Sequence, residues 1–324
     1  MADSRTDFND LHLAQGLQVV GDQLRAARKA LPRADELPER FTDTVLEEPP
    51  FTDEKPVQHM LDPRDEWQAG LVRNLNGTLK ADIANLELVL RHDRRWDGVL
   101  GYCDFSYRII KRKRPPFEGA VVGEWTDADT ARLRIWLSRQ YGFTPKDADA
   151  LNGVLVASQF NRFHPVREYL QGLQWDGKHR LWNWLKYYLG AEGSTDDLQR
   201  YLQLVGTMWL IGGVARVMQP PVKVDNVLIF EGAQGLGKST ALSILGGEWF
   251  SDSPISIGDK DGYQQMQGVW LIELAELDSW HKAESKRNKQ FFTSKIDRYR
   301  PSYGKQAQDF PRQTFFAEIG RAHV

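Results

Sequence analysis

The chain has 324 residues, of which 41% are hydrophobic and 11% aromatic, so it can bury the cores of two or three modest domains. Its formal net charge of −2 excludes a globally basic nucleic-acid binder but not a local basic patch. Cys103 is the only cysteine, which excludes a disulfide framework or a cysteine zinc site within the chain. The polar, acidic start predicts no signal peptide, and no apolar run approaches the length of a membrane span.

Residues 1–31 are predicted to be a helical remnant, with Leu13, Leu17, Val20 and Leu24 at helical spacing and Pro32 beyond it. The segment D-F-N-D-L-H before the helix resembles the end of toprim-type primase domains, although a helix N-cap explains it equally well. Residues 32–66 are predicted to be a linker, because 35–66 hold eleven acids, three bases and five prolines without periodicity.

Residues 67–195 predict a mainly helical accessory domain, with helices at 80–90, 127–141 and 148–160 and strand character at 100–110. The core-facing side chains expected in the second helix are Ala131, Ile135, Trp136 and Leu137. The basic run Lys111–Arg114 suits contacts with phosphates, but such a run is more often a solvated loop.

A turn at Trp175-Asp176-Gly177 precedes a short helix that Gly190 ends. The apolar residues of this helix are Leu181, Trp184, Leu185, Tyr188 and Leu189. They suit stacking on DNA, although packing on a core is the commoner explanation. The final predicted domain, 196–324, opens with a long apolar helix over Leu198–Val217.

The central motif of that domain follows the apolar, β-rich run Val227–Phe230 and has the pattern G-x-x-x-x-G-K-[ST]. Its residues are Gly232, Ala233, Gln234, Gly235, Leu236, Gly237, Lys238, Ser239 and Thr240. The glycines free the backbone to direct N–H groups at the phosphates of ATP, Lys238 reaches the β- and γ-phosphates, and Ser239 ligates Mg²⁺. The strand before the loop and the helix after it favour this function over a plain turn.

Two acids accompany a second buried strand over Val269–Glu276. Glu273 lies inside the strand, where an unpaired carboxylate is costly, and a neighbouring Mg²⁺ would remove that cost. Glu276 lies at the strand's end, where it can orient the attacking water. Pairing of these acids with a base such as Lys260 is the alternative.

Residues 286–312 carry eight bases against two acids, a local charge of 8 − 2 = +6, with aromatic residues interleaved. Such a loop suits single-stranded DNA, because phosphates need cations and bases need stacking surfaces. The candidate contacts are Arg298, Arg300, Lys305 and Arg312. A solvated basic face is the alternative.

Seven segments together resemble the virulence-associated protein E family, from about Phe163 to Phe316 and more loosely back to Trp67. They are H-P-V-R-E-Y-L, W-D-G-K-H-R-L, V-K-V-D-N-V-L-I-F-E-G-A-Q-G-L-G-K-S-T, L-G-G-E-W-F-S-D, G-D-K-D, G-V-W-L-I-E-L-A-E-L and D-R-Y-R-P-S-Y-G. The family consists of phage and mobile-element P-loop ATPases similar to superfamily-3 DNA helicases.

The resemblance implies an α/β P-loop NTPase domain of the AAA+/superfamily-3 type, incomplete here and preceded by a mainly helical region. It implies an ATP-dependent, helicase-like replication ATPase of a phage, prophage or plasmid, in the cytoplasm of a bacterial host. ATP, Mg²⁺, single-stranded DNA, a homo-oligomeric ring and a joined primase domain are the expected cofactors and partners, with no membrane. The rival functions are a P-loop small-molecule kinase and a nucleotide-gated DNA-binding protein without useful turnover.

The chain is also expected to be a fragment that is inactive alone. Residues 314–317 begin a strand that in the family delivers a polar sensor to the γ-phosphate, but Glu318–Val324 breaks the apolar run. Those seven residues can be back-translated as a common sequencing-adaptor sequence, and the family's arginine finger and lid are missing. A genuine short protein with a polar tail is the alternative.

Overall fold

The computed structural model describes residues 63–275, 289–301 and 306–320. Leu61–Trp184 and Glu192–Val324 belong to one compact unit, and Leu185–Ala191 belongs to a second. The helix predicted within 1–31 and nearly all of the predicted linker lie outside the described residues. In the second unit, residues 185–189 are helical, and the N–H of the following Gly190 donates to the Lys186 carbonyl at 3.0 Å.

The first half of the main unit combines helices with a small sheet. Its helices are α1 (Ile83–His92), α2 (Asp127–Tyr141), α3 (Asp147–Gln159) and α4 (Pro165–Gly172). Its strands are β1 (Leu100–Cys103), β2 (Arg108–Lys111), β3 (Gly123–Glu124) and β4 (Arg162–Phe163), in the order β3-β2-β1-β4. The single strand predicted over 100–110 is instead an antiparallel pair, β1–β2, that turns at residues 104–107.

Helix α2 has the predicted bounds but a different buried face. Leu133, Trp136 and Leu137 are buried, whereas Ala131 is exposed and Ile135 is 52% exposed, both contrary to the prediction. The helix begins at a Thr126 cap, and Asp129 of its first turn is buried in an ion pair with Lys111. That pair shows why Lys111 is no phosphate contact: it lies in the interior, and breaking a buried pair costs about 3–5 kcal/mol.

The second half of the main unit is built on a parallel sheet. Its strands are β5 (Leu228–Phe230), β6 (Phe250–Ser251), β7 (Leu271–Ala275) and β10 (Phe315–Ile319), in the order β5-β10-β7-β6. A separate antiparallel hairpin consists of β8 (Ile296–Tyr299) and β9 (Gln308–Pro311). Helix α5 (Trp184–Leu189) lies in the second unit except for its first residue, and the helices of this half are α6 (Asp196–Met218), α7 (Lys238–Gly246) and α8 (Lys260–Gln265). The described residues therefore form a mixed α/β fold with a parallel sheet.

Helix α6 packs closely on this sheet through small residues. A Cβ on Gly213 would come within 2.7 Å of the Phe315 ring, so only glycine permits this approach. Trp209 Nε1 donates to the Phe316 carbonyl at 2.7 Å, and Arg216 donates to the carbonyls of Ser294, Val224 and Phe292. Burial lowers the pKa of Arg216 to about 10. These contacts make α6 a core helix of the unit.

The opposite face of α6 is apolar and exposed. Its exposed large side chains are Leu198, Tyr201, Leu204, Met208, Ile211, Val214 and Met218. By length and composition alone, α6 passes as a membrane-crossing helix, which corrects the expectation that no apolar run approaches that length. A single helix of this kind is weak evidence for a membrane span, and a core helix passes the same test.

The strands β5, β7 and β10 end at one edge of the sheet. Ile319 is in register with Phe230 of β5 and with Ala275 of β7, so the segments that follow these strands emerge side by side. Strand β10 runs through Glu318, which is buried, instead of breaking after Ala317 as the sequence suggested. Pairing with β5 and β7 on both sides supplies the backbone hydrogen bonds that hold this polar stretch extended.

A buried polar network joins the two halves of the main unit. His164 Nε2 is hydrogen-bonded to Gln313 Oε1, and Gln313 Nε2 donates to the Asp104 carbonyl at 2.9 Å. His164 Nδ1 accepts from the Arg167 N–H at 3.2 Å, and burial lowers the pKa of His164. The neutral histidine therefore fixes the segment that enters β10 against the turn between β1 and β2.

Candidate nucleotide and nucleic-acid sites

The glycine-rich loop connects β5 to α7 at the edge where the parallel strands end. Gly235 and Gly237 have φ angles of 85° and 78°, which residues other than glycine rarely adopt. Among the described residues, no side chain caps the N-terminus of α7, which begins at Lys238 directly after the loop. The first-turn N–H groups of this helix therefore point at the loop without a capping partner, as an anion site requires.

Lys238 folds back over the loop. Its ammonium donates to the carbonyls of Gly232 at 2.8 Å and Ala233 at 2.9 Å. These two bonds hold the loop curled. They keep the ammonium beside the backbone atoms that the sequence predicts to surround phosphate oxygens.

Ser239 and Glu273 are brought together although they are far apart in the chain. Ser239 Oγ donates to Glu273 Oε1 at 2.8 Å, which joins the first turn of α7 to strand β7. Glu273 Oε2 is buried and has no hydrogen-bond partner in the described part of the chain. An unsatisfied buried polar atom costs about 1–3 kcal/mol, and more for a charged group. The pair thus presents a hydroxyl and a carboxylate oxygen suited to a hard cation.

The sequence offered Lys260 as an alternative partner for Glu273 and Glu276. In the structure, Lys260 Nζ lies 4.0 Å from Asp261 Oδ1. The hydrogen-bond partner of Glu273 seen here is Ser239. Glu276 lies outside the described residues, one position after β7 ends. No group of three or more His, Cys, Asp or Glu side chains arranged for a metal occurs within 63–275, 289–301 and 306–320. Mg²⁺ needs no such group, since it binds through one or two carboxylates together with substrate phosphates.

The predicted nucleic-acid residues divide into exposed and buried ones. Arg298 lies on the β8–β9 hairpin with its side chain 75% exposed, 3.6 Å from Asp309 of the facing strand. Arg300 follows β8 and is exposed, and Lys305 lies outside the described residues. These positions leave the two described arginines accessible to a ligand.

Arg312 does not belong in that group, because it is only 1% exposed. Its Nε donates to Asp297 Oδ1 at 3.1 Å and Oδ2 at 3.0 Å, and its guanidinium lies 4.5 Å from the Phe291 ring centroid. The Phe291 carbonyl accepts another of its N–H groups. Arg312 therefore anchors the base of the hairpin, and its predicted contact with nucleic acid is corrected.

Aromatic residues complete that anchor, and the sequence did not single them out for this role. The rings of Tyr299 and Phe310 lie 4.8 Å apart across the hairpin, and Tyr263 stacks on Tyr299 at 5.8 Å and 14°. Tyr107 contacts Phe310 edge-on at 4.9 Å. Exposed and buried residues alternate along 296–299 with the period of a strand that has one face covered, but the sequence does not signal this, because Ile296 is exposed and Asp297 is buried.

Comparison with known proteins gives one family match. Residues 170–319 match the profile of a family described as "Virulence-associated protein E-like domain". This match supports the virulence-associated protein E family for that part of the chain. No curated protein sequence matches the chain.

One solved structure similar to the chain is titled "The apo structure of NrS-1 C terminal region (305-718)". The two share 13% identity with a TM-score of 0.41, over 75% of this chain and 58% of that one. The present chain thus matches less than two thirds of that structure's length.

Proposed function

We propose that this protein is an ATP-hydrolysing, DNA-helicase-like replication ATPase of a phage, prophage or plasmid. The observation that carries the proposal is the Ser239–Glu273 hydrogen bond beside the glycine-rich loop, with a buried carboxylate oxygen left over. A phosphate loop joined to an acidic strand is what binding of a magnesium nucleotide requires. The virulence-associated protein E match over 170–319 includes both elements.

In this proposal, the loop backbone and the N-terminus of α7 bind the phosphates of ATP. Most of residues 231–240 are exposed, so a nucleotide can reach the loop. Lys238 exchanges its two carbonyl partners for phosphate oxygens, which are stronger partners because they are charged. Ligands of open parallel sheets lie at the carboxyl ends of the strands, and the loop lies at that edge.

Ser239 and Glu273 are the residues that would hold Mg²⁺. The ion would supply charge neutralisation to the β- and γ-phosphates. Glu273 Oε2, which lacks a partner among the described residues, would gain one. We propose Glu276 as the residue that orients the attacking water, because it follows β7 at the same edge of the sheet.

We propose that the β8–β9 hairpin contacts single-stranded DNA. The hairpin directly precedes β10 in the chain, and β10 lies between β5 and β7 in the sheet. The buried base of the hairpin is therefore continuous in sequence with a strand that pairs with β5, from which the nucleotide loop emerges. Arg298 and Arg300 are exposed, while Arg312 and the aromatic residues fix the base. A rigid base with a basic outer surface suits a phosphate backbone.

Neutralising Arg298, Arg300 and Lys305 together to glutamine is expected to weaken single-strand binding. It should also flatten the dependence of log affinity on log salt by about 0.7 for each phosphate that the protein no longer neutralises. Fluorescence anisotropy with a labelled oligothymidylate, measured from low to physiological salt, gives both quantities. Glutamine keeps the side chains long and polar, so the buried anchor at Asp297 and Arg312 stays intact.

The matched control neutralises three exposed cations elsewhere, Lys80, Arg139 and Lys146, which removes the same net charge. This control should leave the salt slope close to that of the wild type. An identical slope in the hairpin variant would show that the hairpin is only a solvated basic face.

Self-association is part of the proposal, because the resemblance implies a ring. The exposed apolar face of α6, from Tyr201 to Met218, supports an association with further copies of the chain. Exposed apolar stripes of this extent are typical of interaction surfaces.

Release of phosphate from ATP by the full-length protein, with and without single-stranded DNA, tests the proposed function. Strong stimulation by DNA is expected. The Glu276→Gln variant should keep nucleotide binding and lose about 100-fold or more in turnover, as removal of a general base does. Binding without release would favour a nucleotide-gated regulator, and release that requires a small-molecule acceptor would favour a kinase. Normal turnover by the variant would assign the water-orienting role elsewhere.

A further inference from the structure

Residues 173–182 connect α4 to the start of α5 and are exposed throughout. The large apolar side chains among them are Leu173, Trp175, Leu181 and Trp182. Trp175 is 71% exposed, the most of any tryptophan in the described part of the chain. Tryptophan is rarely left so accessible, because its large apolar surface favours burial.

The turn around Trp175 holds the indole in one orientation. Trp175 Nε1 donates to the Lys178 carbonyl at 3.1 Å, and the ring meets that of His179 edge-on at 5.2 Å. Asp176 accepts from the Lys178 N–H at 3.1 Å and takes two hydrogen bonds of 2.7 Å from the Arg180 guanidinium. An indole held by its own turn loses little conformational freedom when a ligand binds.

The surroundings of the indole favour a nucleic-acid base over an apolar protein surface. Lys178, His179 and Arg180 are all exposed within five residues of Trp175, and Asp176 is the single acid of residues 173–182. Phosphates need nearby cations, and every base offers a flat face for stacking. Protein-binding patches, in contrast, are depleted of lysine and charge at their centres.

We propose that the Trp175 turn is a second contact site for single-stranded nucleic acid, in which a base stacks on the indole and the neighbouring cations meet the backbone phosphates. The site is separate from the β8–β9 hairpin. It rests on the proposed function only in sharing its ligand, and nucleotide binding at Lys238 is measured independently of it.

The test is the affinity of the full chain for a labelled oligothymidylate, compared between wild type and Trp175→Ala, Trp175→Leu and Trp175→Phe. Alanine and leucine are expected to weaken binding roughly 5- to 150-fold, the range for loss of one stacked base. Phenylalanine should recover most of the affinity, since it keeps an aromatic face. The salt slope should stay unchanged in all three variants, because stacking releases no counterions.

The matched control is Leu173→Ala, which removes an exposed apolar side chain from the same connection without removing an aromatic face. It should bind DNA like the wild type. Unchanged DNA affinity in Trp175→Ala would overturn the proposal, as would full affinity in Trp175→Leu. Loss of self-association on sedimentation with normal DNA binding would instead make the turn a protein contact and overturn the proposal. The hairpin variant is measured separately in the same assay. Unchanged DNA affinity in Trp175→Ala would therefore overturn the Trp175 site without changing the conclusion about the hairpin.

Discussion

The Lys238→Ala variant is expected to lose Mg-ATP affinity by about 30-fold or more. Truncating one partner of a hydrogen-bonded charge pair in a binding site costs about 2–5 kcal/mol, and Lys238 is the charged group of the glycine-rich loop. The variant should still fold, because the hydrogen bonds of this side chain within the described residues go to two loop carbonyls that water can satisfy. Calorimetric titration with Mg-ATP and thermal unfolding measure the two effects.

The matched control for Lys238 is Lys223→Ala. Lys223 lies before β5, outside the nucleotide loop, and its exposed ammonium lies 3.0 Å from Asp225. Exposed pairs of this kind contribute about 0–1 kcal/mol, so this variant should bind Mg-ATP like the wild type. Equal affinity in Lys238→Ala would remove the glycine-rich loop from the nucleotide site.

The Glu273→Gln variant is expected to keep nucleotide binding but to lose about 10- to 100-fold of the affinity gained from Mg²⁺. Glutamine retains an oxygen that can accept from Ser239 Oγ, so the link between α7 and β7 persists. What disappears is the negative charge that a divalent cation requires. Titrating ATP in Mg²⁺ and again in EDTA, for both proteins, isolates the contribution of the ion.

Glu248→Gln is the control for this charge change, because Glu248 is an exposed carboxylate just beyond α7. It should leave the Mg²⁺ contribution intact. If Glu273→Gln gained as much affinity from Mg²⁺ as the wild type, the ion would be held without this strand.

In the first half of the main unit, local sequence patterns predicted where a helix begins and ends better than they predicted which face of it is buried. The predicted bounds of α2 match the structure, in which Asp residues occupy its first turn and Gly142 follows its last residue. Its buried face was not predicted, since apolar residues lie on more than one side and packing against α3 and the surrounding core decides which side is covered. Strands β3 and β4 have two residues each, too few to show a period.

In the candidate sites, the short-range motif and the shared Mg²⁺ role of Ser239 and Glu273 were predicted, whereas the direct contacts between distant residues were not. The glycine-rich loop is a contiguous pattern, and its strand and helix were found where expected. The Ser239–Glu273 contact spans 34 residues and depends on β7 lying beyond β10, an order that sequence alone does not give. The sequence did not distinguish Arg312 from the other seven bases of this segment, because its partner Asp297 lies 15 residues earlier, on strand β8.

The glycine-rich loop and Glu273 are proposed to form one magnesium-nucleotide site, and the proposed ATP hydrolysis depends on that site. The most direct measurement is calorimetric titration of the wild-type chain with ATP, once in excess Mg²⁺ and once in EDTA. Saturable binding of one nucleotide per chain is expected, tightened about tenfold or more by Mg²⁺. Absence of binding under both conditions, or equal affinity with and without Mg²⁺, would contradict the proposed site.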